Sequence, residues 1–147
     1  MSADPVRARR SINREEFNAL VDHLCASAGN PATLLADAGY ACGLIGKLHL
    51  SSAYGRVEAR TADGYDYWQY SHAPRDDWPT GHDYADWVRA KGADLGELSN
   101  SLAGVPAELH QTTWCAEKAI EFMTQEHDGP WLASVNIYDP HPPFNPP

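Results

Sequence analysis

An α/β fold, with helices crossing over between the strands of one sheet, is predicted by three observations. Two apolar runs, "YACGLIGKLHL" and "PWLASVNIYD", read as strands. Segments with apolar residues at helical spacing lie before the first run and between the two. The chain order, helix, strand, loop, helices, strand, is the alternation that builds a sheet with helical crossovers. At 147 residues the chain is long enough for one domain with its own core.

The elements follow in order. Asn13 with Glu15 and Glu16 opens a helix whose Phe17, Leu20, Val21 and Leu24 recur at helical spacing. "NPATLLADAG" gives a second, short helix, with Asn30 as N-cap, Pro31 in the first turn and Gly39 as the stop. The strand Tyr40 to Leu50 comes directly after it. From Ser51 to about Pro79 turn residues and aromatics dominate without periodicity, so a loop is expected. A helix is predicted over Asp83 to Lys91, stopped by Gly92. A longer one starts near Thr112 or Thr113, runs to about Gln125 and carries Cys115, Ala119, Phe122 and Met123 on one side. "PWLASVNIYD" is then expected to be a buried strand. In the closing "DPHPPFNPP", Asp139, His141 and Pro142 each precede a proline and are pushed into extended conformations. That places His141 on a stiff support just past the carboxyl end of a strand, where open α/β sheets put their ligand crevices.

Composition narrows the function. With 20 Asp and Glu against 11 Lys and Arg, the net charge of -9 disfavours nucleic acid and anionic membrane surfaces as partners. No apolar run approaches the ~18 residues of a membrane span. "MSADPVRARR" has arginines without the apolar core of a signal peptide, so a cytoplasmic location is the default expectation. Cys25, Cys42 and Cys115 form no C-x-x-C pair and read as buried small hydrophobes.

The chemistry concentrates in "GLIGKLHLSS". In a strand Ile45, Lys47 and His49 would share one face, with Leu44, Gly46, Leu48 and Leu50 on the other. The strand alone leaves two readings open, a wet face or an anion site.

Taken together, "LLADAGYACGLIGKLHL", "DGYDYW", "HQTTWCAEKAIEFM" and "WLASVNIYDPHPPFNPP", in that order, resemble the interior of a sulfatase, a family of the alkaline-phosphatase-like superfamily. The resemblance runs from Asn30 to Pro147. It implies a partial sulfatase-like sheet with helical crossovers, with residues 1–29 an atypical N-terminal segment and 30–147 a partial catalytic domain. It further implies that Lys47 contacts sulfate oxygens, that His49 assists a nucleophilic aldehyde hydrate, and that His141 contacts the sulfate or the leaving-group oxygen of a small-molecule or glycan sulfate monoester. Cationic donors and a proton donor suit that reaction, because negative charge develops on the leaving oxygen.

The family's formylglycine arises from the Cys or Ser of a Cys/Ser-x-Pro-x-Arg motif. Cys25, followed by Ala26, Ser27, Ala28 and Gly29, lacks it. The family's divalent cation, usually calcium, has no ligand identifiable in this sequence; Asp76 and Asp77 read as solvated loop charges. Seven of the twelve Trp and Tyr residues fall between Tyr65 and Trp87. Tyr65 and Trp68 are the expected substrate contacts, since rings there could stack on a sugar or aryl face. The remaining histidines, His23, His72, His82, His110 and His127, read as surface or packing residues. Two other functions fit the same residues: a phosphodiesterase or phosphonate hydrolase of the superfamily, and a non-catalytic anion- or glycan-binding module. A sheet cut from a larger parent would expose edges, so self-association is also expected.

Overall fold

The structure, a computed structural model, describes residues 30–48, 60, 63–75, 78 and 82–142. The helix expected after Asn13, Cys25, His49, the pair Asp76 and Asp77, and residues 143–147 lie outside the described residues.

Asn30 caps helix α1 (Pro31–Asp37), its side chain accepting from the Ala32 amide at 3.1 Å. The helix ends before Gly39, as its sequence demands, and leads into strand β1 (Ala41–Gly46). Strand β2 (Tyr67–Tyr70), helix α2 (Asp83–Ala90), the short helix α3 (Leu95–Ser99), a 3-10 turn (Ala107–Leu109), helix α4 (Gln111–Thr124) and strand β3 (Trp131–Asn136) follow. Among the described residues the strands form one sheet in the order β2-β1-β3, with β1 parallel to both neighbours. Gly46 pairs with Tyr70 on one side and Asn136 on the other, so the carboxyl ends of all three strands share one edge. The class is α/β, and the parallel pairing expected of the two long apolar runs is present.

β1 is buried on both faces because parallel strands are covered by their own crossover helices. Cys42 and Leu44 pack with Ala32, Tyr65 and Tyr70 toward α1. Ile45 packs on the other face with Tyr84, Ala85, Val88, Leu95, Trp114 and Cys115. A Cβ at Gly43 would stand 3.0 Å from the Phe122 ring, so the small residue lets α4 lie close to the sheet.

Several expectations are corrected. The strand predicted through Leu50 stops at Gly46, whose φ of +99° leaves the extended region, so Lys47 stands beyond the ladder rather than on a strand face. β2 lies within the span read as loop; three aromatics and a glutamine are too short a run to show a period. β3 is an edge strand among the described residues rather than a buried one, with Trp131, Val135 and, just past its end, Ile137 each more than 40 % exposed (43, 41 and 44 %). Ile120 and Met123 of α4 are also exposed.

The amino end of β2 is held by a buried carboxylate. Asp63, 2 % exposed, takes a two-pronged hydrogen bond from Arg60 (2.9 and 3.0 Å) and a third from the Tyr65 amide at 3.0 Å. The same guanidinium donates to the Tyr65 carbonyl and covers the Trp68 ring at 4.2 Å. Burial pushes the Asp63 carboxyl up, but Arg60 and the Tyr65 amide outweigh it and hold the group below its ordinary value. A carboxylate depressed in the folded state contributes stability above its unfolded pKa of about 4 and loses it as pH falls through the lower folded value. Asp63→Asn is therefore expected to cost about 1–3 kcal/mol at pH 7 and to flatten the acid limb of stability below about pH 4. Urea melts at stepped pH values measure both; parallel acid limbs in the two proteins would contradict the assignment.

Candidate functional site

The site forms where the three strands end. At Gly46 the backbone turns away, and the Lys47 amide still donates to the Asn136 carbonyl at 2.9 Å, so the lysine is fixed at the rim between β1 and β3. β3 ends in the same plane and delivers Tyr138 two residues later. The Tyr138 ring is buried and receives the Lys47 ammonium at 5.1 Å from its centroid. The His141 ring rests against it, centroids 4.9 Å apart at 53°. Lys47 and His141 are thus neighbours on one aromatic ring, and their separation cannot exceed the sum of those two distances. Of the three residues that the resemblance singles out, Lys47 and His141 meet at this ring; His49 lies outside the described residues.

Hydrogen bonds settle the protons of the pair. The Pro142 carbonyl accepts from the Tyr138 hydroxyl at 2.7 Å and faces His141 Nδ1 at 2.6 Å. A carbonyl can only accept, so Nδ1 carries its hydrogen. His141 Nε2 has no hydrogen-bond partner among the described residues. The ring is exposed, and the His141 amide is tied back to the Tyr138 carbonyl at 3.1 Å.

The edge carries charges of both signs. Lys47 has no carboxylate partner among the described residues, nor has the exposed Arg75 at the exit of β2. Burial lifts the Tyr138 phenol above its ordinary value; the positive charge of Arg75 opposes the rise and Asp139 adds to it. Asp139 itself is turned toward α4: it accepts from the Thr112 hydroxyl at 3.4 Å and lies 3.8 Å from His110 Nε2. His110 Nδ1 accepts the Thr112 amide at 3.3 Å, so a neutral His110 carries its hydrogen on Nε2, facing Asp139.

The predicted substrate contacts do not join this edge. Tyr65 precedes β2 at the opposite end of the sheet and is buried against α1; Trp68, level with Leu44 in mid-strand, lies under Arg60. The aromatics that reach the β2 exit are His72 and Trp78, with ring centroids 4.3 Å apart, and His72 Nδ1 lies 3.2 Å from the Tyr70 hydroxyl. His72 and His110 thus stand at the edge carrying Lys47 and His141. His82 and His127, with ring nitrogens on the Ala73 and Phe122 carbonyls at 2.9 and 2.8 Å, keep the packing role their sequence suggests.

Both described thiols are buried and unpaired with each other. Burial, with Asp139 adding, pushes Cys115 up to about 12; burial and then Asp66 raise Cys42. Among the described residues no group of three His, Cys, Asp or Glu side chains could hold a metal ion. No helix among the described residues is long and apolar enough to cross a membrane. Comparison with family models, with curated proteins and with solved structures finds no match to this chain.

Proposed function

We propose that this carboxyl edge is the anion-binding part of a sulfatase-type active site and that the group it holds is a sulfate monoester. The observation that carries the reading is the meeting of Lys47 and His141 on the Tyr138 ring, beyond the ends of parallel strands. In this reading the Lys47 ammonium and the Arg75 guanidinium take the equatorial sulfate oxygens, neutralising charge where it grows. His141, protonated at Nε2, gives that proton to the leaving ester oxygen, while its Nδ1 stays on the Pro142 carbonyl and keeps the ring in place. Tyr138 remains a neutral phenol, because burial raises it above its ordinary value, and so it does not compete with the substrate for the cation. The motif that supplies the sulfatase nucleophile is absent from this sequence. The chain is therefore expected to bind sulfate without turning over an aryl sulfate.

Titration of the chain with inorganic sulfate, followed by calorimetry or by the His141 ring resonances, tests the reading. Saturable binding is expected, weakened about tenfold or more in Lys47→Ala, the loss of one charge-assisted contact. Equal affinity in the two proteins, or no saturation in either, would reject a sulfate site. Turnover of an aryl sulfate above the Lys47→Ala background would reject the statement about the nucleophile. Aryl phosphonate offered in parallel separates the phosphonate-hydrolase alternative, because a site shaped for tetrahedral oxyanions in general would not discriminate.

A further inference from the structure

The first residue of α4 is a glutamine with no exposed surface. The Tyr138 amide donates to Gln111 Oε1 at 3.1 Å, and an amide N–H can only donate, so the carboxamide orientation is fixed and Nε2 must face the other way. There it donates to the equally buried Ser71 Oγ at 3.4 Å. Ser71 is free to accept because its own hydroxyl hydrogen goes to the Ala73 carbonyl at 3.3 Å. The Ser71 amide in turn donates to the Gly46 carbonyl at 3.1 Å, and the Lys47 amide to Asn136 at 2.9 Å. These contacts make a closed ring through the exits of all three strands: Gly46 at the end of β1 and Lys47 just past it, Ser71 after β2, then Gln111, then Tyr138 just past β3 and Asn136 at its end. The sheet ladder supplies the two links that involve β1. The span from β2 to β3 passes over the central strand, and a single carboxamide bridges it.

We propose that Gln111 is a positioning residue for the anion site: by closing this ring it fixes Tyr138, the platform on which Lys47 and His141 both rest. The proposal rests on the reading of that edge as an anion site. The Gln111 side chain is hydrogen-bonded to neither of the two functional side chains and is linked to them through Tyr138. Sites keep their geometry when the groups beneath them are locked by packing and hydrogen bonds, and a buried carboxamide with both ends satisfied is such a lock.

The test uses the full 147-residue chain, isotopically labelled, with two separate readouts. The first, without any anion, is the pair of nuclear Overhauser contacts from the Tyr138 ring to the Lys47 side chain and to the His141 ring. The second is the affinity for inorganic sulfate. Gln111→Leu is expected to keep the dispersed amide resonances of Leu44 and Ile45, to lose both Overhauser contacts, and to bind sulfate about tenfold more weakly. Ser71→Ala, which removes only the Nε2 partner, is expected to move both readouts in the same direction by less; it decides the matter alone if Gln111→Leu does not fold. Folded variants with both contacts and the sulfate affinity unchanged overturn the proposal, as does a wild-type chain lacking the contacts. Contacts that vanish in the variants of a chain that never binds sulfate uphold the positioning role and overturn the anion reading instead.

Discussion

Gly46→Ala is expected to destabilise the chain by about 3–4 kcal/mol, a large part of the stability of a domain this size. Two costs combine at this residue. Its φ of +99° is a conformation that side chains other than glycine adopt only under strain. A Cβ placed there would also lie 2.1 Å from the Asn136 carbonyl oxygen and 2.8 Å from its carbon. Those are backbone atoms of the paired strand, not the tip of a movable side chain, so relief requires β1 and β3 to separate where Lys47 is bonded to Asn136. Gly39→Ala is the internal control. Its φ is +85° but a Cβ there meets nothing within 4 Å, so only the conformational cost of about 1–2 kcal/mol applies. Chemical denaturation of the two variants side by side measures the difference; equal midpoints would show that the contact with Asn136 is relieved cheaply. Sulfate affinity should fall in Gly46→Ala and not in Gly39→Ala, because only the first displaces Lys47.

Trp114→Ala is expected to lose about 3–5 kcal/mol. Trp114 is fully buried at the centre of the larger core cluster, its ring 5.5 Å from that of Tyr84, where α2, α3 and α4 meet the sheet face that carries Ile45. Its neighbours come from four separate elements, so they cannot all collapse into the space it leaves. Trp114→Phe should behave differently. The indole Nε1 is buried with no hydrogen-bond partner among the described residues, so the substitution removes an unsatisfied donor along with part of the ring. The two effects oppose one another, and the net loss should be about 1 kcal/mol or less. Urea midpoints for the pair decide it, and a Phe variant as unstable as the Ala variant would mean that the indole nitrogen makes a bond that matters.

The sequence made the covered strand and the capped helices readable because each carries its own local signal. Asn30, Pro31 and Gly39 bracket α1 by cap and stop, and Asp83 with Gly92 bracket α2. The parallel pairing followed from the helix that must cross between the two apolar runs. Lys47 and His141 were legible through their motifs and do share an edge. What they rest on was not. Tyr138 read as one more strand residue, although it is the group that brings the two together. The sequence pattern starts the helix near Thr112 or Thr113, yet Gln111 is its first residue and lies with Trp114, Cys115, Ala119 and Phe122 on the buried side of α4. A polar residue at the head of an apolar stripe was the available signal. Tyr65 and Trp68 drew attention as aromatics, but composition cannot say to which end of a strand a ring belongs; the register of β2 does. The end of β1 was missed because the apolar pattern continues past Gly46 through Leu48 and Leu50, while the turn depends on one backbone angle.

That glycine also divides the chain's freedom to change. Cys42 to Ile45 are enclosed on both sides, so each is answerable to its neighbours in the core and variation there is paid for in folded protein. Lys47, one residue beyond the turn, is only partly covered and bonded to β3 through its backbone alone. Its side chain can be exchanged without disturbing the ladder that places it. A substitution there would change the charge offered at the sheet edge while keeping the scaffold, and the boundary between the enclosed and the replaceable part of this segment is a single hydrogen in place of a methyl group.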